Sequence, residues 1–200
     1  MFEAITAWDL GLLAWIQEFL RTAFGDWFMP LITALGNKGL FSIALGVVLL
    51  IPRRTRKMGA TVLVALLFGL LVGNLCLKPL IARIRPYDLE GALLGIQDLL
   101  IHAESSKSFP SGHSLAAFET AIAILMYNRK AGIPAFVVAA TVAFSRLYLY
   151  VHYPTDVIAG VLLGSLFAVA AYFLLNKLLF DKVPQICAWS FTKWKLIKDE

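Results

Sequence analysis

The chain has 200 residues, 60% of them hydrophobic and only 16% charged, with a net charge of +5 at pH 7 and a mean hydropathy of +0.77. Ordinary soluble domains are about 45–50% apolar and about 25% charged, so this composition excludes a conventional water-soluble globule and selects the bilayer as solvent. The basic residues fall in short clusters between apolar runs, the pattern of cytoplasmic membrane loops, which makes anionic lipid headgroups rather than nucleic acid their expected counterions.

The first 36 residues differ from the rest. They carry no basic n-region, and Glu3 and Asp9 lie where a cleavable signal peptide would be positive. From residue 7 onward, Leu10, Leu13, Trp15, Ile16, Phe19 and Leu20 interleave with Asp9, Gln17, Glu18 and Arg21. That amphipathic, aromatic pattern predicts a helix lying in the membrane interface. Glu18 and Arg21 near its middle argue against a further span.

Five apolar runs follow, at about 38–52, 58–77, 112–128, 132–150 and 155–177. Each predicts a transmembrane helix, because a lipid-exposed backbone must satisfy its own hydrogen bonds. The first is short for a span and draws on residues before it. The fold class is therefore all-α: a polytopic membrane helix bundle of about five transmembrane helices plus an N-terminal interfacial amphipathic helix. It forms one domain, with 1–36 interfacial, 37–180 the transmembrane core and 181–200 a cytoplasmic tail.

Arg53, Arg54, Arg56 and Lys57 follow the first run, Arg129 and Lys130 the third, and Lys177, Lys182, Lys193, Lys195 and Lys198 the fifth. With an odd number of spans these sets share one side, which the positive-inside rule makes cytoplasmic. The opposite side collects Glu3, Asp9, Asp26, Asp88, Glu90, Asp98 and Glu104, and holds the longest external loop, from about 86 to 110. Cys76 and Cys187 fall near opposite faces, so no disulfide is expected, and neither has a metal-ligand spacing. Trp8, Trp15, Trp27, Trp189 and Trp194 read as interface anchors.

Three polar clusters interrupt the apolar pattern: Lys78 to Pro86, Phe109 to Ser114, and Ser145-Arg146 followed by His152 and Asp156. Each sits at the external end of a span, so the three can converge on one pocket. Their residue types suit phosphoryl transfer. Lys78, Arg85 and Arg146 supply fixed positive charge for a group whose transition state spreads negative charge over three oxygens. Ser111 and Gly112 open a helix whose backbone N–H groups form an anion site. His152 and His113 fit a nucleophile and a general acid. Asp156, four residues beyond His152, lies on the same face if the segment is helical and can hold the imidazole N–H.

Lys78, Arg85 and Pro86 fit K-x6-R-P, residues 110–113 read P-S-G-H, and Ser145, Arg146, His152 and Asp156 fit S-R-x5-H-x3-D. In this order the three motifs resemble the signature of the type 2 phosphatidic acid phosphatase (lipid phosphate phosphatase) family, which shares its active site with vanadium haloperoxidases and bacterial acid phosphatases. The resemblance covers roughly residues 36–175. It implies His152 as nucleophile, Asp156 as its partner, His113 as proton donor to the leaving group, and Lys78, Arg85, Ser111, Gly112 and Arg146 as phosphate ligands. It also implies a mechanism without metal or cofactor, substrates such as phosphatidate, phosphatidylglycerol phosphate or undecaprenyl diphosphate, and a place in a bacterial inner membrane with the site facing outward. Many relatives have six spans, which this chain matches only if its first 36 residues supply one.

Several residues stand outside the motifs. Arg83 reads as an interfacial anchor that snorkels from a helix end. His102 reads as a loop residue. Glu119, about two turns into the third run, is costly there and finds no role in the sequence. A lipid phosphotransferase would use the same residues, and an anion transporter would place its polar groups near mid-membrane instead. Nothing in the sequence fixes the lipid or an oligomeric state.

Overall fold

The computed structural model describes residues 2–89 and 99–177. Glu90, Asp98, Cys187, Trp189, Trp194 and the lysines from Lys182 onward lie outside the described residues.

All five apolar runs are helical. They form α3 (Leu40–Leu50), α4 (Arg56–Phe68) with its continuation to Leu77, α6 (Gly112–Tyr127), α7 (Arg129–Tyr148) and α8 (Pro154–Leu175). Among the described residues, three stretches are long and apolar enough to cross a membrane: Arg56–Leu89, Arg129–Tyr148 and Pro154–Leu175. α6 has only 16 residues, about 24 Å at the helical rise, and α3 has 11. Both are shorter than the roughly 30 Å hydrocarbon core. The outer surface is apolar: Leu71, Leu75, Val137, Leu162, Leu166 and Phe173 are all exposed, an arrangement stable against lipid rather than water.

The N-terminal segment departs from the single helix expected. It forms α1 (Phe2–Phe19) and α2 (Ala23–Ala34), broken at Thr22. The Thr22 hydroxyl accepts the Gly25 N–H at 3.0 Å and caps α2. The Tyr148 hydroxyl accepts the Thr22 N–H at 2.9 Å, and a Cβ at residue 25 would collide with that phenol. Gly25 is therefore the residue that lets α7 hold the break. On α1, Asp9, Leu13 and Ile16 are buried while Trp8, Trp15 and Phe19 face outward.

α4 runs through π-helical turns at Gly69–Leu77 into the short α5 (Lys78–Ile81), which ends where Ala82 adopts a left-handed φ of 50°. Wide π turns recur at functional sites, and this one leads directly into the first polar cluster. Gly69 begins it and abuts the Glu119 carboxylate of α6, where a Cβ would not fit. Glu119 is 1% exposed, and its Oε1 has no hydrogen-bond partner among the described residues.

α6 is the central helix, packed against α7, α8 and α4. Its approach to α8 depends on Gly160 and Gly164, a small-xxx-small pair of the kind that brings membrane helices into close contact. A Cβ at residue 160 would stand 2.8 Å from the Ser111 carbonyl oxygen, and one at residue 164 would stand 2.5 Å from the Leu115 carbonyl oxygen. The α3–α4 and α6–α7 turns, with Arg53, Arg54, Arg129 and Lys130, lie at one end of the bundle. The start of α6, the end of α7 and the start of α8 lie at the other.

Because the obstructing atoms are backbone, Gly164→Ala is expected to destabilise the protein by about 1–3 kcal/mol. Thermal denaturation in detergent measures it, and an unchanged melting temperature would contradict this packing.

Candidate active site

The start of α6 is set by Ser111, whose buried hydroxyl accepts from the Ser114 hydroxyl at 3.0 Å and from the Ser114 N–H. The Ser111 side chain thus serves as the helix cap. Gly112 presents its backbone to Lys78: a Cβ there would be 3.7 Å from the Lys78 Nζ and 3.4 Å from the Asn74 Oδ1. Lys78 makes no hydrogen bond or ion pair of its own among the described residues. His113, one residue further on, contacts the Asn37 Oδ1 through Nε2 at 3.1 Å. Its ring lies against Gly36, where any side chain would collide with it.

Arg85 and Arg146 are both buried. Arg85 donates to the Ser106 carbonyl at 2.7 Å, the Ser106 hydroxyl at 3.0 Å and the Val151 carbonyl at 2.8 Å. Arg146 donates to the Thr33 hydroxyl at 2.6 Å, which ties α7 to α2. One carboxylate bridges the two guanidiniums: the Glu104 Oε2 accepts from Arg85 at 2.7 Å and the Oε1 accepts from Arg146. The two guanidiniums hold the Glu104 carboxyl down to about 2, against the opposing push of its burial. The buried Nε of Arg146 donates to nothing among the described residues.

His152 stands in the bend before α8, not on the helix. The same-face pairing expected for His152 and Asp156 is therefore replaced by another geometry. Asp156 sits in the first turn of α8, where its Oδ2 accepts the Tyr153 N–H at 3.1 Å and a short hydrogen bond from the Ser108 hydroxyl. The Ser108 Oγ lies 3.4 Å from the His152 Nδ1, and the Asp156 Oδ2 lies 3.6 Å from it. On the other side of the ring, Nε2 is 3.3 Å from an Arg85 amino group. A guanidinium cannot accept a proton, so Nε2 is the unprotonated nitrogen and Nδ1 carries the hydrogen toward Ser108 and Asp156. Complete burial, reinforced by Arg85 and Arg146, pushes the His152 imidazolium well below its ordinary value. The charges of Arg85, Arg146, Glu104 and Lys78 act on both imidazoles.

Arg83 corrects its sequence reading. It does not snorkel. It donates to the Asp156 Oδ1 at 2.8 Å, the Thr155 hydroxyl at 2.7 Å and the Asp9 Oδ2 at 2.6 Å, and stacks 3.7 Å over the Tyr153 ring. Asp9 also accepts the Thr155 N–H at 2.9 Å. The motifs thus supply the two histidines, the aspartate and three cations. The sequence analysis missed the groups that hold them, namely Asp9, Thr33, Asn37, Arg83, Glu104 and Ser108. His102 is exposed in the loop.

A cavity of about 250 Å³, lined by Leu35, Leu45, Ala121, Val138 and Val142, lies between α3, α6 and α7. Gly36 belongs to its lining and also touches His113, so this apolar space adjoins the polar cluster.

These features define a polytopic membrane protein with a cationic cluster around two histidines at one end of its bundle. The chain belongs to the PAP2 superfamily, whose family model matches residues 57–179. It is 32% identical over 164 residues to the bacitracin transport permease protein BcrC of Bacillus licheniformis, covering 78% of this chain and 80% of that one. It is 36% identical over 118 residues to an undecaprenyl-diphosphatase of Sulfolobus acidocaldarius, where the match covers 58% of this chain and 55% of the relative, about half its length. Among solved structures it is similar to the PAP2-type phosphatidylglycerolphosphate phosphatase of Bacillus subtilis, with a TM-score of 0.70 and 28% identity over 88% of each chain.

A neutral, buried His152 has a consequence for pH. The unfolded chain takes up a proton at this imidazole near 6.5 and the folded chain does not, so this residue withdraws stability as pH falls below that value. Imidazole 15N NMR in detergent at pH 5.5 is expected to show His152 neutral with Nδ1 protonated. Titration at the ordinary value would contradict the geometry.

Proposed function

We propose that this chain is a single-domain integral membrane lipid phosphate phosphatase that acts through a phosphohistidine at His152 and needs no metal. The observation that carries the reading is the orientation of His152: Nδ1 faces Ser108 and Asp156, and the unprotonated Nε2 faces the Arg85 guanidinium that is expected to hold the phosphoryl group. Nε2 attacks phosphorus while the bond to the leaving oxygen breaks, and His113 delivers the proton that oxygen needs. Asp156 stabilises the charge gained by the His152 ring, as in catalytic triads. Water then cleaves the phosphorus–nitrogen bond, its proton passes to His113, and inorganic phosphate leaves. Lys78, Arg85, Arg146 and the backbone of Ser111 and Gly112 hold the phosphoryl oxygens.

The apolar cavity beside Gly36 suits the first part of a lipid tail. The names of the relatives favour undecaprenyl diphosphate and phosphatidylglycerol phosphate as headgroups, with phosphatidate a third candidate. The cationic turns at the opposite end of the bundle support a site on the external face of a bacterial inner membrane.

Phosphate release from these three lipids in detergent, with chelator present, is the expected outcome, and His152→Ala is expected to abolish it. Activity surviving in His152→Ala, or lost to chelator alone, would refute the mechanism. His113→Ala is expected to lose about 10²–10⁴ in rate on lipid substrates and much less on an aryl phosphate whose leaving group needs no proton. Label transferred to a second lipid, rather than released as inorganic phosphate, would make the protein a phosphotransferase.

A further inference from the structure

The bridge between Arg85 and Arg146 is made by a residue that no motif contains. Glu104 belongs to the external loop, yet its carboxylate lies between the two guanidiniums expected to grip phosphate, one oxygen on each. It is an anion throughout the neutral range, held so by those guanidiniums. A phosphoryl group placed on Arg85 and Arg146 would need the same donors.

We propose that Glu104 is an internal stand-in for the substrate phosphate, occupying the cradle when it is empty and leaving it when a lipid phosphate binds. This deepens the phosphatase reading and rests on it. Three observations support the exchange. First, the carboxylate satisfies the cradle only in part, because the Arg146 Nε donates to nothing and Lys78 is without an ion pair or hydrogen bond among the described residues. A tetrahedral phosphate brings the further oxygens that a planar carboxylate lacks. Second, only the side chain has to move. The Glu104 carbonyl is held by the Tyr87 hydroxyl at 2.7 Å, and Ser106 holds Arg85. Third, the way out is short, since the Glu104 side chain is 27% exposed and Ala103, Ser105, Ser106 and Lys107 around it are exposed.

The exchange keeps an anion on both arginines in the empty and the filled states, so neither guanidinium is left buried and bare. It also sets a threshold for entry. An anion that offers only its headgroup competes with a tethered carboxylate. A lipid adds the burial of its tail in the cavity beside Gly36. Glu104 therefore selects lipid phosphates over free phosphate and speeds release of the inorganic product.

The apparent affinity of a ligand falls by the fraction of sites open to it. Removing the carboxylate charge in Glu104→Gln is thus expected to tighten inorganic phosphate and orthovanadate by about tenfold or more. Binding is read from the phosphate-induced rise in melting temperature of the full-length protein in detergent, a measurement that needs no turnover. In assays, KM for the lipid and Ki for inorganic phosphate should both fall, with kcat limited by slower product release. If Glu104 merely braced the arginines, phosphate affinity would weaken and KM would rise, and that result would overturn the proposal. Glu104→Asp, which keeps the charge but shortens its reach, should lie between the two and carries the test if the glutamine variant does not fold. Tighter phosphate binding without lipid hydrolysis in the unsubstituted protein would uphold the stand-in and refute the phosphatase reading. Unchanged phosphate binding alongside normal hydrolysis would do the reverse.

Discussion

Guanidinium groups buried at the end of an apolar bundle have to meet carboxylates, and the active end of this protein is organised around that requirement. Arg83 lies between Asp9 and Asp156, and Arg85 and Arg146 share Glu104. An uncompensated charge at such depth costs several kcal/mol even after relaxation, so each of these pairs fixes where its parent elements sit. Asp9 draws α1 against the start of α8 through Arg83 and Thr155. Glu104 draws the segment before α6 toward Arg85 and Arg146. With the His152 imidazole neutral, the four cations Lys78, Arg83, Arg85 and Arg146 face the three carboxylates of Asp9, Glu104 and Asp156. The surplus positive charge makes the cluster attractive to an anion.

The helices supply the rigidity that such a charge cluster needs. α6 carries His113 at its first turn, and Gly160 and Gly164 bring α8 close enough to touch the backbone of that turn. The start of α8 carries Asp156, whose carbonyl accepts the Ser111 N–H at 3.1 Å. The P-S-G-H and S-R-x5-H-x3-D segments are thus joined backbone to backbone, and the relative position of the two histidines does not rest on side-chain contacts alone.

Much of this was legible in the sequence, because hydrophobic runs and motif spacing are local signals. The five apolar runs are helices close to their expected limits, and the motif residues gather at one end of the bundle. What the sequence hid was the set of partners. Arg83 looked like a snorkelling anchor because its ligands, Asp9 and Asp156, lie 74 and 73 residues away. Glu104 looked like one more external acid for the same reason. The four-residue spacing of Asp156 from His152 does bring the two together, but not on one helical face: Pro154 starts α8 after His152, and Ser108 bridges imidazole and carboxylate. The break at Thr22 had a local signal, a Thr-x-x-Gly cap, that the amphipathic pattern on either side obscured. The Gly160–Gly164 pair was equally visible and passed over inside an apolar run.

A membrane-embedded site that takes up phosphate, as proposed, faces opposite demands. Its pocket must be cationic enough to stabilise a dianion in transfer, yet it must fold when no phosphate is present, with its guanidiniums in a low-dielectric surrounding where bare charge is most costly. A carboxylate from a surface loop meets both. It neutralises the arginines during folding and in the empty state, and because its backbone is anchored by Tyr87 while its side chain reaches solvent, it can yield the site without disturbing the bundle. Had the compensating anion been buried like Asp9 or Asp156, the guanidiniums would be locked to it. The division of labour follows from exposure: the fully buried carboxylates are structural partners of Arg83 and His152, and the partly exposed one guards the cradle that the phosphate must enter.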